Sequence, residues 1–428
     1  MQLFRRLDRT LVLAGALALA LAAAPAGAQV FVQCPGDDNG DALILPPESP
    51  SPDHPNAICT HLAAGDGFAR MADGQPTYIF SFADLTGMVS APTDPSDAQG
   101  NTGAQNAVLE AGMLAAAWPA PTIVLEEGQE WFLTLTNVGM MIRPDLFDPH
   151  TVHFHGHPNM ATVFDGLPES GLSINMGASL SYYYKITEPG TYMYHCHVEA
   201  TEHMQMGMLG NLYVKPAQDG TPYAYQGKTY SQFAYNDEDG STGFDVEYPI
   251  QLGSFDKEFH DANWNVQPLP FADMKDTYFM INGRGYPDTI EAGTMAAQPL
   301  DPDTGEDLNG PANSQGVSSL ITATQGDRIL LRVSNLNVTT FNTLMSPSIP
   351  MTVIGRDAKQ LDNPAGDPLY YQTNSLTTGG GMSYDVMLDT TDVAPGTYFL
   401  YSSNLYQLAN DYESEDGLGG MLTEIVVQ

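Results

Sequence analysis

The sequence predicts an all-β protein, two tandem Greek-key β-sandwich domains that follow an N-terminal extension. Three observations carry this reading. Glycine and proline are abundant, at 41 and 31 residues, and punctuate short stretches of alternating apolar and polar residues, the period of a half-buried strand. Thr122 to Asn137 (TIVLEEGQEWFLTLTN) aligns with Leu320 to Asn335 (LITATQGDRILLRVSN), with Gly128 opposite Gly326 and Asn137 opposite Asn335. Pro189-Gly190-Thr191-Tyr192 aligns with Pro395-Gly396-Thr397-Tyr398, so the same unit occurs twice.

Residues 1–28 read as a signal peptide. Arg5, Arg6 and Arg9 form a basic head, Leu11 to Ala24 is an apolar run too short for a membrane span, and Ala26-Gly27-Ala28 is a small-residue cleavage site. The mature chain would begin at Gln29, exported to the periplasm or the extracellular space. The Arg5-Arg6 pair hints at twin-arginine export, with poorly matching flanks. No later stretch is apolar for ~18 residues, so no membrane span is expected.

Residues 29–75 read as an acidic, loop-rich extension. Within it, Asp37-Asp38-Asn39-Gly40-Asp41 places oxygen ligands at alternate positions, as calcium loops do, but without the distant bidentate Glu of an EF-hand. His54 and His61 read as surface residues, with approach to a copper as the alternative. Residues 76–216 form the first β-domain: strands are predicted at Thr77 to Phe80, Ile123 to Leu125, Trp131 to Thr136, Leu180 to Ile186, Thr191 to His197 and Leu212 to Val214. Residues 217–428 form the second. Carried forward without gaps, the repeat sets His195, Cys196 and His197 opposite Tyr401, Ser402 and Ser403, and no histidine follows His260. The second domain has the strand pattern and none of the ligands.

Composition narrows function. With 51 acidic against 15 basic residues the formal charge is −36, which repels nucleic acid; it either favours cationic substrates or partners or is simply a solvated, salt-adapted surface. The chemistry concentrates in 150–208, which holds seven of the ten histidines. It opens with His150-Thr151-Val152-His153-Phe154-His155-Gly156-His157 and closes with His195-Cys196-His197, then His203-Met204-Gln205-Met206-Gly207-Met208. Two imidazoles, a thiolate and a weak axial thioether are the ligand set of type 1, blue copper. If 192–198 is a strand, Cys196 faces one way while His195 and His197 face the other. His153 and His155 likewise share a face, so these four imidazoles can converge on further copper. His150, Cys196, His203 and Met208 remain for the type 1 site. A lone buried histidine is more often structural and a methionine run more often core, but this spacing is hard to reach by accident. Cysteine arithmetic agrees: of three cysteines, Cys196 serves the metal, and Cys34 and Cys59 are free to form a disulfide over 35–58.

The two segments resemble the third and fourth copper-binding motifs of multicopper oxidases, the laccase-like enzymes. The resemblance implies cupredoxin-like domains, His150, Cys196, His203 and Met208 as type 1 ligands, His153 on type 2 copper, and His155, His195 and His197 on type 3 copper. It also implies one-electron oxidation of a reducing substrate coupled to dioxygen reduction, with electrons passing from Cys196 through His195 and His197. Two departures stand out. The spacing from His197 to His203 is longer than usual and carries Glu199 and Glu202. A full trinuclear cluster in the family also uses twice the imidazoles that these motifs supply.

Several outcomes follow. The cluster is completed by a second copy of the chain, which points to a homo-oligomer, or by another polypeptide. Otherwise the chain is an electron-transfer or copper-binding protein, or a nitrite-reductase-like enzyme. The oxidase is favoured because an electron carrier would need Cys196 but not His153, His155, His195 and His197 together. Asp148, Asp165 and Glu199 are the nearby carboxylates in sequence that could handle protons. Phenols, metal ions and protein partners are all open as reductants.

Overall fold

The computed structural model describes residues 30–90, 102–158, 160–293, 295, 318–411 and 419–428; the signal-peptide reading falls outside them. It is nearly all β. The first sandwich packs a sheet ordered β2-β1-β4-β6 against one ordered β3-β8-β7-β5. These strands are β1 (Ala57–Arg70), β2 (Pro76–Asp84), β3 (Ile123–Glu126), β4 (Glu130–Gly139), β5 (His153–Phe154), β6 (Ser179–Lys185), β7 (Gly190–His195) and β8 (Leu209–Lys215). Their alternation is visible in β3, where Ile123 and Leu125 are buried while Val124 and Glu126 are exposed. Trp131, Leu133 and Leu135 of β4 meet Phe80, Phe82, Tyr182, Tyr184 and Tyr194 in one core, each side chain worth about 1.5–3 kcal/mol of burial.

The second sandwich repeats the plan. Its sheets are ordered β12-β11-β14-β20-β16-β17, with β18 also on β16, and β13-β22-β21-β15-β19. They are built from β11 (Val246–Phe255), β12 (Tyr278–Ile281), β13 (Ile321–Ala323), β14 (Arg328–Asn335), β15 (Asn342–Met345), β16 (Met351–Arg356), β17 (Lys359–Gln360), β18 (Tyr371–Thr373), β19 (Ser375–Thr378), β20 (Ser383–Asp389), β21 (Gly396–Ser402) and β22 (Leu422–Val427). A small hairpin, β9 (Tyr223–Tyr225) and β10 (Lys228–Tyr230), lies between the two sandwiches in sequence. Parallel pairing of β1 with β4 recurs as β11 with β14, and β3 with β8 recurs as β13 with β22. Asn137 and Asn335 repeat a detail: each side-chain oxygen accepts the amide two residues on. Where β5 and β7 set His153 opposite His195, β15 and β21 set Met345 opposite Tyr401.

Three short helices complete the described chain: α1 (Thr102–Gly112), α2 (Ala200–Gln205) and α3 (Lys257–Trp264). Trp118, Met193, Leu209, Phe255, Met280 and Leu336 join the two sandwiches in a shared apolar cluster, with the Trp118 and Phe255 rings 4.4 Å apart. Beside it Arg332 of β14 is buried, bonded to Glu247 at 2.8 Å and reaching Thr191 of β7 at 3.3 Å.

The N-terminal segment differs from its sequence reading. Residues 57–70, expected as loop, form β1, the longest strand, because the small and apolar run Leu62-Ala63-Ala64 fits between β2 and β4. His61 on this strand is not on the surface. It is fully buried and bonds Thr136 at 2.8 Å, and burial lowers its pKa to about 4. His54 is half-buried and pairs with Glu130 at 3.2 Å. The Asp37 loop closes on itself: its two carboxylate oxygens accept the amides of Asn39, Gly40 and Ala42. Asp37 thus makes an Asx turn with its own loop.

Cys34 and Cys59 form a disulfide across a sequence separation of 25. It ties the irregular segment before β1 to the sheet. Replacing both cysteines with alanine should lower stability by about 3 kcal/mol, the loop-closure value for a segment of this length. The shift in urea midpoint of the copper-free protein checks this; an unchanged midpoint would mean that the segment is held by other contacts.

Candidate metal centre

The two ligand groups lie on either side of the end of β7. This strand stops at His195, two residues short of the sequence reading, and the chain then leaves the sheet. The Cys196 amide donates to the Met208 carbonyl at 3.2 Å and the Met208 amide to the His203 carbonyl at 2.9 Å. The excursion that carries α2 is therefore closed at its neck before β8 begins. The longer spacing noted in the sequence is this helix, entered through Glu199 in the left-handed region at φ 44°.

On one side, the Cys196 sulfur lies 3.2 Å from His203 Nδ1 and 3.8 Å from His150 Nδ1. All three residues are buried and offer their ligand atoms within 4.8 Å of one another. Met208 is fully buried in the same core. Burial alone would push the Cys196 thiol up, but the facing His203 and His150 imidazoles hold it well below the usual thiol range. His203 answers in kind: against the cost of burial, the thiolate and Asp148 push it up to about 10. A site that holds a thiolate against an imidazolium is one where a metal cation can take the proton's place.

On the other side, His153, His155 and His195 offer nitrogens within 4.8 Å. Their orientation follows from backbone carbonyls. His153 Nδ1 donates to Asp165 O at 2.6 Å, His155 Nδ1 to Gly381 O at 3.2 Å, and His195 Nδ1 to Cys196 O at 2.7 Å. A carbonyl can only accept, so each Nδ1 carries the hydrogen and each Nε2 keeps its lone pair, the arrangement that orients a metal-binding imidazole. His155 Nε2 and His195 Nε2 then face each other at 2.9 Å. Two lone pairs at that distance repel unless a cation lies between them. Burial lowers the His195 pKa to about 3 and lowers that of His155 as well, so these two imidazoles are neutral and free to coordinate.

His197 stands slightly apart. Its ring centre is 5.1 Å from that of His153 and 5.5 Å from that of His195, but it contributes no nitrogen to the close set. His157, the last of the opening run, is turned away among Tyr184 and Tyr192. His260 lies between the carbonyls of Tyr78 and Gln205.

The carboxylates separate by side. Asp148 is 3.8 Å from His203 Nε2 and so belongs to the thiolate side. Asp165 lies 3.4 Å from His153 Nδ1. Glu202 accepts from Asn263 of α3, whose side-chain oxygen takes Arg143 at 3.0 Å. These contacts cover α2 and leave His203 fully buried.

The second sandwich contributes residues that the sequence did not mark. His155, His195 and His197 open on a cavity of about 460 Å³ walled by segments 335–341 and 380–381. Gly381 sits at φ +83°, and a Cβ there would fall 2.7 Å from the His155 ring. Glycine is thus needed both for the backbone and for the imidazole it orients. No local pattern marks Gly381, because its role depends on how the two sandwiches pack.

Comparison with known proteins agrees. Two family models, each described as multicopper oxidase, match residues 101–219 and 260–421, together most of the chain. Copper resistance protein A of Pseudomonas syringae pv. tomato is 26% identical over 290 residues, 64% of this chain and 41% of that protein. A laccase of Aspergillus fumigatus is 32% identical over 120 residues, 27% of this chain and 19% of its own length. The chain therefore spans less than half the length of these curated relatives. The fold is similar to that of a blue copper oxidase from Nitrosomonas europaea, with a TM-score of 0.56 at 19% identity over 87% of this chain and 86% of that one. This chain belongs to the multicopper oxidase family.

Proposed function

We propose that this chain is a copper-dependent oxidase that takes single electrons from a reducing substrate on the Cys196 side and uses them to reduce dioxygen on the imidazole side. The observation that carries this is the adjacency of two donor sets, one around a thiolate and one of imidazoles. Cys196 belongs to one and His195 to the other, and His195 Nδ1 donates to Cys196 O at 2.7 Å. Copper held by His150, Cys196, His203 and Met208 would accept electrons one at a time, and copper held by His153, His155 and His195, with His197 alongside, would bind and reduce dioxygen. The protein's part is to hold the donors dry, to fix which nitrogen is free, and to join the sets by one covalent link and one hydrogen bond.

The donors fit a type 1 copper and one further copper. They do not by themselves make the larger cluster that the family uses. All ten histidines are among the described residues, and His54, His61, His157 and His260 are committed elsewhere. A complete cluster would need imidazoles from a second subunit, reached through the cavity beside His155, and a homo-oligomer is the simplest source. The disulfide supports export to an oxidising compartment. Among the described residues no helix is long and apolar enough to cross a membrane.

Copper counting with oxygen uptake tests the reading. More than one copper per chain, with oxygen consumed on a phenol or an oxidisable metal ion, is expected. One copper per chain, blue and without oxygen uptake, would leave only an electron carrier. For Met208→Leu, a raised reduction potential with copper retained is expected, since an axial thioether tunes the metal while binding it weakly. A redox titration that finds no shift would remove Met208 from the ligand set.

A further inference from the structure

Asp276 is 1% exposed and sits where the chain enters β12, outside both ligand sets. Its Oδ1 accepts from Gln205 Nε2 at 3.4 Å. Its Oδ2 is within hydrogen-bonding reach of the hydroxyls of Ser254 and Thr339. Ser254 decides the protonation state, because its oxygen also contacts Asn337 Oδ1 and it has one hydrogen to give.

The orientation of Asn337 is fixed by a chain of amides. Its backbone N–H donates to Asn335 Oδ1 at 2.8 Å, which sets Asn335. Asn335 Nδ2 donates to Asn342 Oδ1 at 3.0 Å, which sets Asn342. Asn337 Nδ2 donates to that same oxygen, so Asn337 turns its Oδ1, an acceptor only, to Ser254. The Ser254 hydrogen is committed there. A carboxylate at Asp276 would press a lone pair against the Ser254 oxygen, whereas a carboxylic acid donates to it. Burial, which pushes the Asp276 carboxyl up, works in the same direction.

Thr339 touches Asp276 on one side and on the other lines the cavity onto which His155, His195 and His197 open. We propose that Asp276 is a neutral acid that relays its proton through the Thr339 hydroxyl to dioxygen being reduced in that cavity. This rests on the oxidase reading. Each electron delivered from the reductant is matched by one proton: Thr339 gives its hydroxyl hydrogen to the reduced oxygen and takes in its place the Oδ2 hydrogen of Asp276, which swings from Ser254 to Thr339. The carboxylate left behind is reprotonated from water through the same hydroxyl. Asp276 is thus a positioning residue that acts through Thr339, contributed by the sandwich that holds no copper ligand.

The test uses the copper-loaded protein and two readouts. Infrared spectra of Asp276→Asn should lose a protonated-carboxyl stretch present in the parent, with the fold kept because the new amide still donates to Ser254. After anaerobic reduction, bleaching of the blue band should be unchanged, while reoxidation by dioxygen slows on the order of a hundredfold, the lower end for a positioned proton donor. Thr339→Val should keep the infrared band and slow reoxidation, and Thr339→Ser should restore it. A band that survives in Asp276→Asn overturns the neutral acid. Reoxidation at the parent rate in Asp276→Asn or Thr339→Val overturns the relay even where the band is lost. A parent protein that dioxygen cannot reoxidise overturns the oxidase reading and the relay with it, while the infrared band still reports separately on the proton.

Discussion

Cys196→Ser is expected to abolish the blue absorption and leave the protein folded. The colour of such a site comes from the bond between copper and thiolate. Serine offers a hydroxyl that the two facing imidazoles cannot ionise as they ionise the thiol. The fold should survive because Cys196 is one residue in a core built on Trp131, Leu133, Leu135, Tyr182 and Tyr194. A buried serine can still bond the Val198 carbonyl, which the sulfur now faces at 3.8 Å. The cost in copper-free stability should stay within about 1–2 kcal/mol, a common size for a conservative buried change. Visible spectra and thermal unfolding of the copper-free forms measure both halves. A variant that keeps its visible band would sink the ligand assignment.

His155→Ala is expected to separate the two halves of the reaction. The blue band and its anaerobic bleaching should persist, because His155 belongs to the other donor set. Oxygen uptake should fall by more than about a hundredfold. Losing even a residue that merely orients a ligand costs about 10–100-fold, and here the ligand itself and the lone pair facing His195 Nε2 are removed. Stopped-flow bleaching and an oxygen electrode check the two predictions independently. If uptake survived at the parent rate, dioxygen would be reduced elsewhere.

Much of the site was legible in the spacing of its residues. Alternation along a strand placed Cys196 and His195 on opposite sides, and the structure keeps them in separate donor sets although the strand ends between them. The repeat of Thr122–Asn137 in Leu320–Asn335 gave the second sandwich its strands, and the pairing of Met345 with Tyr401 where His153 meets His195 accounts for its lack of ligands. His61 was misread because a histidine in an acidic stretch looks solvated. Only the pairing of β1 with β4 shows that it is enclosed against Thr136. His197 belongs by motif to the close imidazole set, yet turning out of β7 after His195 leaves its nitrogens outside it.

What the chain states locally is the identity of the donors and the strands that carry them, since strand period and ligand chemistry are properties of neighbouring residues. It does not state which atoms face those donors from afar. Gly381 orienting His155, Asn263 closing over α2, and Asp276 behind Thr339 all come from the second sandwich. Their places were decided by the packing of Trp118, Met193, Phe255 and Leu336 between the two units. Apolar burial there is non-directional, so no run of sequence announces which polar group it will bring within reach of an imidazole.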